Sequence, residues 1–459
     1  MTGPLPDTPV SQNQALAKRF AIFDFLSRTI RDALPSLQEH GDEARPAADW
    51  RTLFSLFCMS IILILLSWQL IPESIVPATS SDFAHGYLPA AMRWIDGKGY
   101  VDNSGSFFTA KPPGYPMVVA FAVALSRFMD QPLQRVIMGL NLVFAGLATV
   151  VLFQFAQHIW SLRWSLLVAL AWIVFPFHLW LTRLPLSELP FLPLFFAAVY
   201  LGWRAMYHTG SYVWPAFGSG VLAGMAMLVR PIALGLGVVL AALLYFMTPS
   251  APAARRRRLA WMLLAGNLLV VLPWEMIAYQ HTGRVVMLSD GGILSLRDGL
   301  TFGTNLKGFR QGTWVPEDVR EVMANLTAKY PQLQSYSTIA AAVLNEFEER
   351  PVAVIKLFLL KVIRSWYGTD SQRHEGLALM LQTVYLLPVI VGSVAAMRKG
   401  GRYRRAALFI WAIAGYFWIM NVCSTTLVRY MVPVTGLLCI LIPAGLEGRR
   451  RLLTAREAP

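Results

Sequence analysis

The stretch SDFAHGYLPAAMRWIDGKGY (81–100), closed by KPPGYP (111–116), decides how this chain is to be read. It lies between two apolar runs, 52–71 and 136–158, and resembles neither. It sets carboxylates (Asp82, Asp96, Asp102), Lys111 and a Gly/Pro turn beside hydrocarbon. Charges are costly inside a bilayer, so the chemistry of a membrane protein collects in polar interruptions of this kind.

Outward from that stretch the chain is mostly lipid-soluble. Of its 459 residues 56% are hydrophobic and 14% charged, where soluble domains carry about a quarter charged. Mean hydropathy is +0.49. Apolar runs of about 20 residues, enough to cross a bilayer core, recur along the whole length. The fold class is therefore an all-α polytopic membrane protein with about ten transmembrane helices and further interfacial helices. The spans fall at 52–71, 136–158, 164–182, 189–206, 213–229, 231–247, 259–279, 377–397, 406–422 and 428–446. The basic runs Arg255–Arg258, RKGGRYRR (398–405) and Arg449–Arg451 mark cytoplasmic ends. With the N-terminus inside, the six spans before Arg255 return the chain inside. A crossing at 114–129 would break that parity, so this Pro116-containing segment reads as re-entrant or surface-lying. The segment 352–367, interrupted by Lys356, Lys361 and Arg364, reads as an interfacial helix.

This organises the chain as an N-terminal cytoplasmic segment (1–50), a transmembrane module (51–279) with an outer loop at 72–135, an outer loop (280–376), and C-terminal helices with a basic tail (377–459). Residues 14–34 read as an amphipathic surface helix, or equally as a solvated one. In the second outer loop 316–329 and 338–349 read as short helices, and the glycine-rich part between Asp290 and Gly312 as irregular. The net charge of +14 sits at span ends, which speaks for anionic lipid and against nucleic acid. Cys58, Cys423 and Cys439 show no metal or redox spacing. The polar first 50 residues hold no cleavable signal.

Parity puts several polar groups at the outer end. Asp82, partly desolvated, suits a general base with His85 three residues on; with Ser80 and Ser81 it equally suits a helix N-cap. Lys111, stiffened by the prolines that follow, can meet a phosphate or snorkel to the interface. Glu188 in TRLPLSELPF is placed for catalysis or for helix capping. Arg230 in LVRPIAL and Arg429 in TTLVRYMVP are expensive among apolar neighbours unless paired, and a guanidinium binds phosphate through two hydrogen bonds. Lys361 and Arg364 would add positive potential. Gly218, Gly220 and Gly224 give small-residue spacing for close helix packing. No phosphate-cradling glycine loop follows a strand, and the seven histidines are scattered.

These pieces resemble the GT-C superfamily of membrane glycosyltransferases, in particular the bacterial branch related to protein O-mannosyltransferases and lipid A aminoarabinose transferases. The resemblance rests on Asp82, Tyr87, Ala91, Gly97, Gly99 and Tyr100, then KPPGYP (111–116), SELPFLPLFF (187–196), GVLAGMAMLVRP (220–231), GGILSLRDGLTFGTN (291–305), PVAVIKLFLLK (351–361) and RYMVPVTGLL (429–438), in order over 50–446. It implies transfer of a sugar from a polyprenyl-phosphate carrier to a lipid, glycan or protein acceptor at the outer face of a bacterial inner membrane, with both termini cytoplasmic. Asp82 would be the base; Lys111, Arg230, Arg429, Lys361 and Arg364 would hold the carrier phosphate; His85, Tyr87 and Tyr115 would contact sugar or acceptor. Many relatives carry Asp-Glu where this chain has Asp82-Phe83. In oligosaccharyltransferase catalytic subunits the second outer turn supplies a metal-binding acid, a place Glu188 matches, which leaves a divalent metal open. The alternatives are a transporter or flippase, or a glycan polymerase or ligase. A transporter would show mid-membrane charges and a two-fold repeat; no repeat is visible here, and the charges crowd the outer end.

Overall fold

Hydrocarbon offers no hydrogen-bond partners, so a chain this apolar must satisfy its backbone internally, which helices do. The computed structural model describes residues 48–70, 80, 82–207, 213–248, 251–302, 315–370 and 372–447. All of them belong to one compact unit. The sequence readings at 14–34 and at Arg449–Arg451 lie outside the described residues. Among the described residues the only strand pairing is one isolated bridge, Val101 with Phe107.

Among the described residues six helices are long and apolar enough to cross a membrane: α1 (Trp50–Trp68), α4 (Leu133–Gln157), α7 (Glu188–Tyr207), α10 (Ala253–Thr282), α15 (Glu375–Lys399) and α16 (Gly401–Cys423). The span expected at 164–182 is broken into α5 (Leu162–Ile173) and α6 (Pro176–Thr182), bent by 58°. Pro176 lacks an N–H and pushes Phe175 into extended backbone, so the helix cannot run through. The segments 213–229, 231–247 and 428–446 hold shorter helices: α8 (Trp214–Val229), α9 (Leu236–Met247) after a 3-10 turn at Pro231–Ala233, and α17 (Val428–Cys439).

Hydrogen bonds between helix ends fix the arrangement. The Trp68 indole donates to Thr182 Oγ1 (2.8 Å). The Asn141 amide donates to the carbonyl of Leu184 (2.8 Å), and the Tyr416 hydroxyl to that of Leu234. These gather the end of α1, the start of α4, the α6–α7 turn, the α8–α9 turn and the end of α16 at one end of the bundle. At the opposite end His158 meets Tyr200 (3.1 Å), Trp160 donates to the carbonyl of Ile440 (2.7 Å), and Lys399 pairs with Glu447 (2.7 Å). Helix α3 (Gly114–Met129) starts against Leu228, at the close of α8, and turns directly into the start of α4. Both its ends therefore adjoin the first end of the bundle.

Helices α8 and α10 approach to backbone contact. A Cβ on Gly220 would strike the carbonyl of Leu263, and one on Gly266 the carbonyl of Phe217. The small-residue spacing at Gly220 and Gly224 thus serves close packing.

The second loop carries its own apolar core, built from Leu300, Val319, Val322, Leu326, Ile339, Val354 and Leu357 among others. Its helices α12 (Glu317–Ala328) and α13 (Tyr336–Glu349) fall where the sequence placed them, and α14 (Pro351–Arg364) covers the segment read as interfacial. One expectation is corrected. Gly291–Gly299 is helical (α11), not irregular. Ile293 and Leu296 pack on the loop core, which offsets the glycines' poor helix propensity. Residues 303–314 are outside the description.

Candidate functional site

The site forms where the first outer loop meets the α6–α7 and α8–α9 turns. Asp82 opens a helix that begins with a π turn, Phe83–Tyr87, and continues as α2 (Leu88–Ile95). The N-cap reading of Asp82 does not hold, since its side chain makes no cap hydrogen bond. Ser80 Oγ instead accepts from the Phe83 N–H (3.1 Å). Ser81 lies outside the described residues. Freed from capping, Asp82 Oδ1 accepts from Lys111 Nζ at 3.0 Å.

Lys111 is delivered by the turn chemistry of its loop. Gly97 and Gly99 adopt φ of +74° and +82°, conformations side chains rarely take, and turn the chain back. Tyr100 then donates its hydroxyl to the Lys111 carbonyl (2.8 Å). A Cβ on Gly114 would lie 2.6 Å from the Leu228 carbonyl, so glycine lets the KPPG turn press against α8. From the second loop, the Asp290 N–H donates to the Thr109 carbonyl (2.9 Å), and Arg284 grips the Asp290 carboxylate with two bonds (2.9 and 2.6 Å). This strap pins the segment leading into Lys111, and no motif in the sequence announces it.

Beside this pair lies a second. Glu188, at the start of α7, meets Arg230 Nη1 at 3.0 Å, and both are buried. Pro231 ends α8, and Arg230 takes extended backbone (φ −140°) that turns it into the site. Arg429, in the first turn of α17, joins the two pairs. It lies 3.9 Å from Asp82, 3.7 Å from Glu188 and 3.2 Å from Asp370. The Tyr430 ring stands between the arginines, 5.0 Å from one guanidinium and 5.2 Å from the other. Tyr87 and Tyr115 pack edge to face (4.7 Å), with Lys111 5.4 Å from the Tyr87 ring. The buried Tyr115 hydroxyl has no hydrogen-bond partner among the described residues.

Asp82, Lys111, Glu188, Arg230 and Arg429, far apart in sequence, therefore converge, with Tyr87 and Tyr115 at their flank. His85 is exposed, and no hydrogen bond joins it to Asp82 among the described residues. Lys361 and Arg364 spend their bonds elsewhere. Buried Lys361 donates to the carbonyls of Gly299 (2.9 Å) and Ser424 (3.2 Å). Arg364 pairs with Glu375 (2.5 Å) and donates to Thr426 Oγ1 (3.2 Å). Asp370 was not foreseen.

Exposure separates the acids. The Asp82 side chain is 42% exposed and the Glu188 side chain 2%. A solvent-side acceptor can reach the first and not the second. Burial pushes the Asp82 carboxyl up, but Lys111, Arg429 and Arg230 together outweigh it and hold it below its ordinary value of 3.8. Burial alone would lower the Lys111 ammonium; Tyr87 and Asp82 turn the balance, so it lies above its ordinary value.

Among the described residues no group of three His, Cys, Asp or Glu side chains is placed to hold a metal ion. Each acid of the cluster is already held by a cation, Asp82 by Lys111 and Glu188 by Arg230. A divalent ion here would have to displace one of them, so these side chains do not fit a preformed metal site.

No protein-family model matches the chain, and no curated protein does. Solved structures do. The archaeal oligosaccharyltransferase AglB from Archaeoglobus fulgidus, in complex with an inhibitory peptide and a dolichol-phosphate, aligns with a TM-score of 0.54 at 10% identity, over 89% of this chain and 52% of its own. The apo form of the Archaeoglobus fulgidus oligosaccharyltransferase aligns with a TM-score of 0.54 at 12% identity, over the same shares. ArnT from Cupriavidus metallidurans bound to undecaprenyl phosphate aligns less well, with a TM-score of 0.40 at 13% identity over 88% of this chain and 79% of its own. The chain spans about half the length of the oligosaccharyltransferase structures it matches. At these identities the likeness is one of fold: the chain shares the fold of the aligned half of these oligosaccharyltransferase structures.

Proposed function

We propose that the chain is a glycosyltransferase that takes a sugar from a polyprenyl-phosphate carrier and passes it to an acceptor hydroxyl at the outer face of a bacterial inner membrane. The observation that carries this reading is the accessible Asp82 carboxylate, set among three cations that converge from separate helices and loops. A lipid-phosphate donor already holds a leaving group and lies in the bilayer. What remains is a base for the acceptor and positive charge for the departing phosphate.

In this reading the acceptor hydroxyl gives its proton to Asp82 as its oxygen attacks the anomeric carbon. The bond from that carbon to the phosphate oxygen breaks, and the phosphate gains negative charge. Lys111, Arg230 and Arg429 receive that charge; guanidinium and ammonium groups placed where charge develops are the larger part of such catalysis. Direct displacement inverts the configuration at the sugar, and a product of retained configuration would refute this step. In the empty site Lys111 and Arg429 make Asp82 a weak base. A donor phosphate that competes for the same cations loosens their hold on Asp82, so its basicity rises as the donor arrives.

The orientation is supported by the basic residues. Arg255–Arg258 begin α10 and Arg398–Arg405 join α15 to α16, all at the end of the bundle opposite the site. The test is transfer of labelled sugar from polyprenyl phosphate by the purified protein in detergent, wild type against Asp82→Asn. Transfer by wild type with loss in a variant that still binds donor supports the reading. Equal transfer by both removes Asp82 from the mechanism. If a panel of donors gives no transfer, but the protein moves lipid-linked sugar across a sealed bilayer, the flippase alternative replaces it.

A further inference from the structure

The ion-paired cluster is electrically balanced. Among the described residues, Lys111, Arg230 and Arg429 face Asp82, Glu188 and Asp370, three charges of each sign. A balanced cluster has no net attraction for an anion, yet the function proposed above needs one to bind here. One of the carboxylates must give way. Glu188 cannot do so cheaply: it is buried, and separating it from Arg230 would leave both uncompensated in a low-dielectric site. Asp82 is the base and must stay. Asp370 remains. Its side chain is 53% exposed, it sits in the turn between α14 and α15, and its ion pair is the shortest that Arg429 makes, at 3.2 Å. When it leaves Arg429 it goes to water, where a carboxylate loses little.

We propose that Asp370 is a resident counter-ion on Arg429, occupying in the empty site the place taken by the lipid-linked phosphate when the donor binds. The inference rests on the carrier-phosphate reading and deepens it. With Asp370 displaced, the cluster carries one net positive charge, which matches a sugar phosphodiester. After transfer the phosphate monoester left behind can carry a second negative charge, and Asp370 competes with it for Arg429. The residue thus costs donor affinity and aids product release.

The test is equilibrium binding of polyprenyl phosphate to the full chain in nanodiscs of phosphatidylcholine, with uncharged polyprenol as control. Asp370→Asn should bind polyprenyl phosphate about fivefold more tightly than wild type, the upper range for one partly exposed ion pair. Asp370→Glu should return to the wild-type value, and polyprenol should bind all three alike. Damage to the fold does not tighten binding, so a gain cannot be structural in origin. Equal or weaker binding of polyprenyl phosphate by Asp370→Asn, with measurable binding by wild type, overturns the role of Asp370 alone. No preference of wild type for polyprenyl phosphate over polyprenol overturns the carrier-phosphate reading and this inference with it.

Discussion

Two groups of charge stand at the same end of the bundle, and they use their charge in opposite ways. Around Asp82 the ion pairs share partners and the group opens to solvent: Lys111 holds Asp82, Arg230 holds Glu188, and Arg429 lies near Asp82, Glu188 and Asp370. Around Lys361, the bonds are local and closed: two carbonyls for the lysine, Glu375 and Thr426 for Arg364. The first arrangement can exchange partners with a ligand. The second ties α11, α14, the end of α16 and the start of α15 together. The same residue types at the same end of the bundle thus serve as a site in one place and as struts in the other, and the difference is whether a partner can be given up.

The comparison can be broken most sharply at Asp82. Asp82→Asn keeps shape and removes the proposed base; transfer should fall by about 10²–10⁴-fold, the usual worth of a general base, with donor binding retained. A variant within a factor of a few of wild type would make the open cluster another strut. Next comes Lys361→Ala, which removes the ammonium that the carbonyls of Gly299 and Ser424 share. It should cost about 1–3 kcal/mol of stability for an orphaned group, read as a lowered unfolding midpoint in detergent. Burial, the dominant influence, pushes the Lys361 ammonium down to about 7. An unfolded lysine keeps its proton up to its ordinary value of 10.5, so the unfolded chain binds more protons between these values. The destabilising contribution of this lysine is therefore full below about pH 7 and relieved as pH rises toward 10.5. Lys361→Ala should lose most, relative to wild type, on the alkaline side; a penalty greatest at acid pH would contradict this.

The subtlest test is the pH profile. Because its cations hold Asp82 below its ordinary value, wild-type kcat/KM for donor should keep its acid limb below pH 3.8. Lys111→Met removes the strongest opposing influence and leaves burial dominant, so the limb should move up in pH. An unmoved limb would show that Lys111 and Asp82 are not coupled in the working enzyme.

Much of this was legible in the sequence, for reasons that are local. Hydropathy and basic runs reveal the helices and their alternation because the bilayer imposes both. Arg230-Pro231 announces its own break. G-x-G-Y and KPPG announce turns, and parity placed Asp82, Lys111, Glu188, Arg230 and Arg429 at one end, where they do meet. What stayed hidden depends on pairing between distant segments. Lys361 and Arg364 share the sign of the site cations, and nothing in their sequence tells that carbonyls of other loops claim them. Asp370 follows Trp366-Tyr367-Gly368-Thr369 without periodicity or motif, and its meaning lies wholly in Arg429. The Thr109–Asp290 strap is of the same kind. The kink at Pro176 was readable in principle, but a run of apolar residues on both sides masks a break that only backbone geometry requires.

The π turn at Phe83–Tyr87 has a consequence of another sort. A π turn winds one residue more than an α turn into about the same rotation, so it absorbs that residue between Asp82 and the face of α2 that buries Ala90 and Ala91. Wound as α-helix, the same residues would carry Asp82 about 100° further round the axis, since each α-helical residue turns by that much. The carboxylate would then leave Lys111 while α2 stayed seated. We predict that inserting one alanine after Ala84 abolishes transfer without unfolding the protein, whereas deleting Ala84 closes the turn as α-helix and retains transfer; an insertion that leaves transfer intact would show the turn to be idle. Such a site is tuned by the length of its chain as well as by its side chains: a single added codon would silence it with every charged group still present.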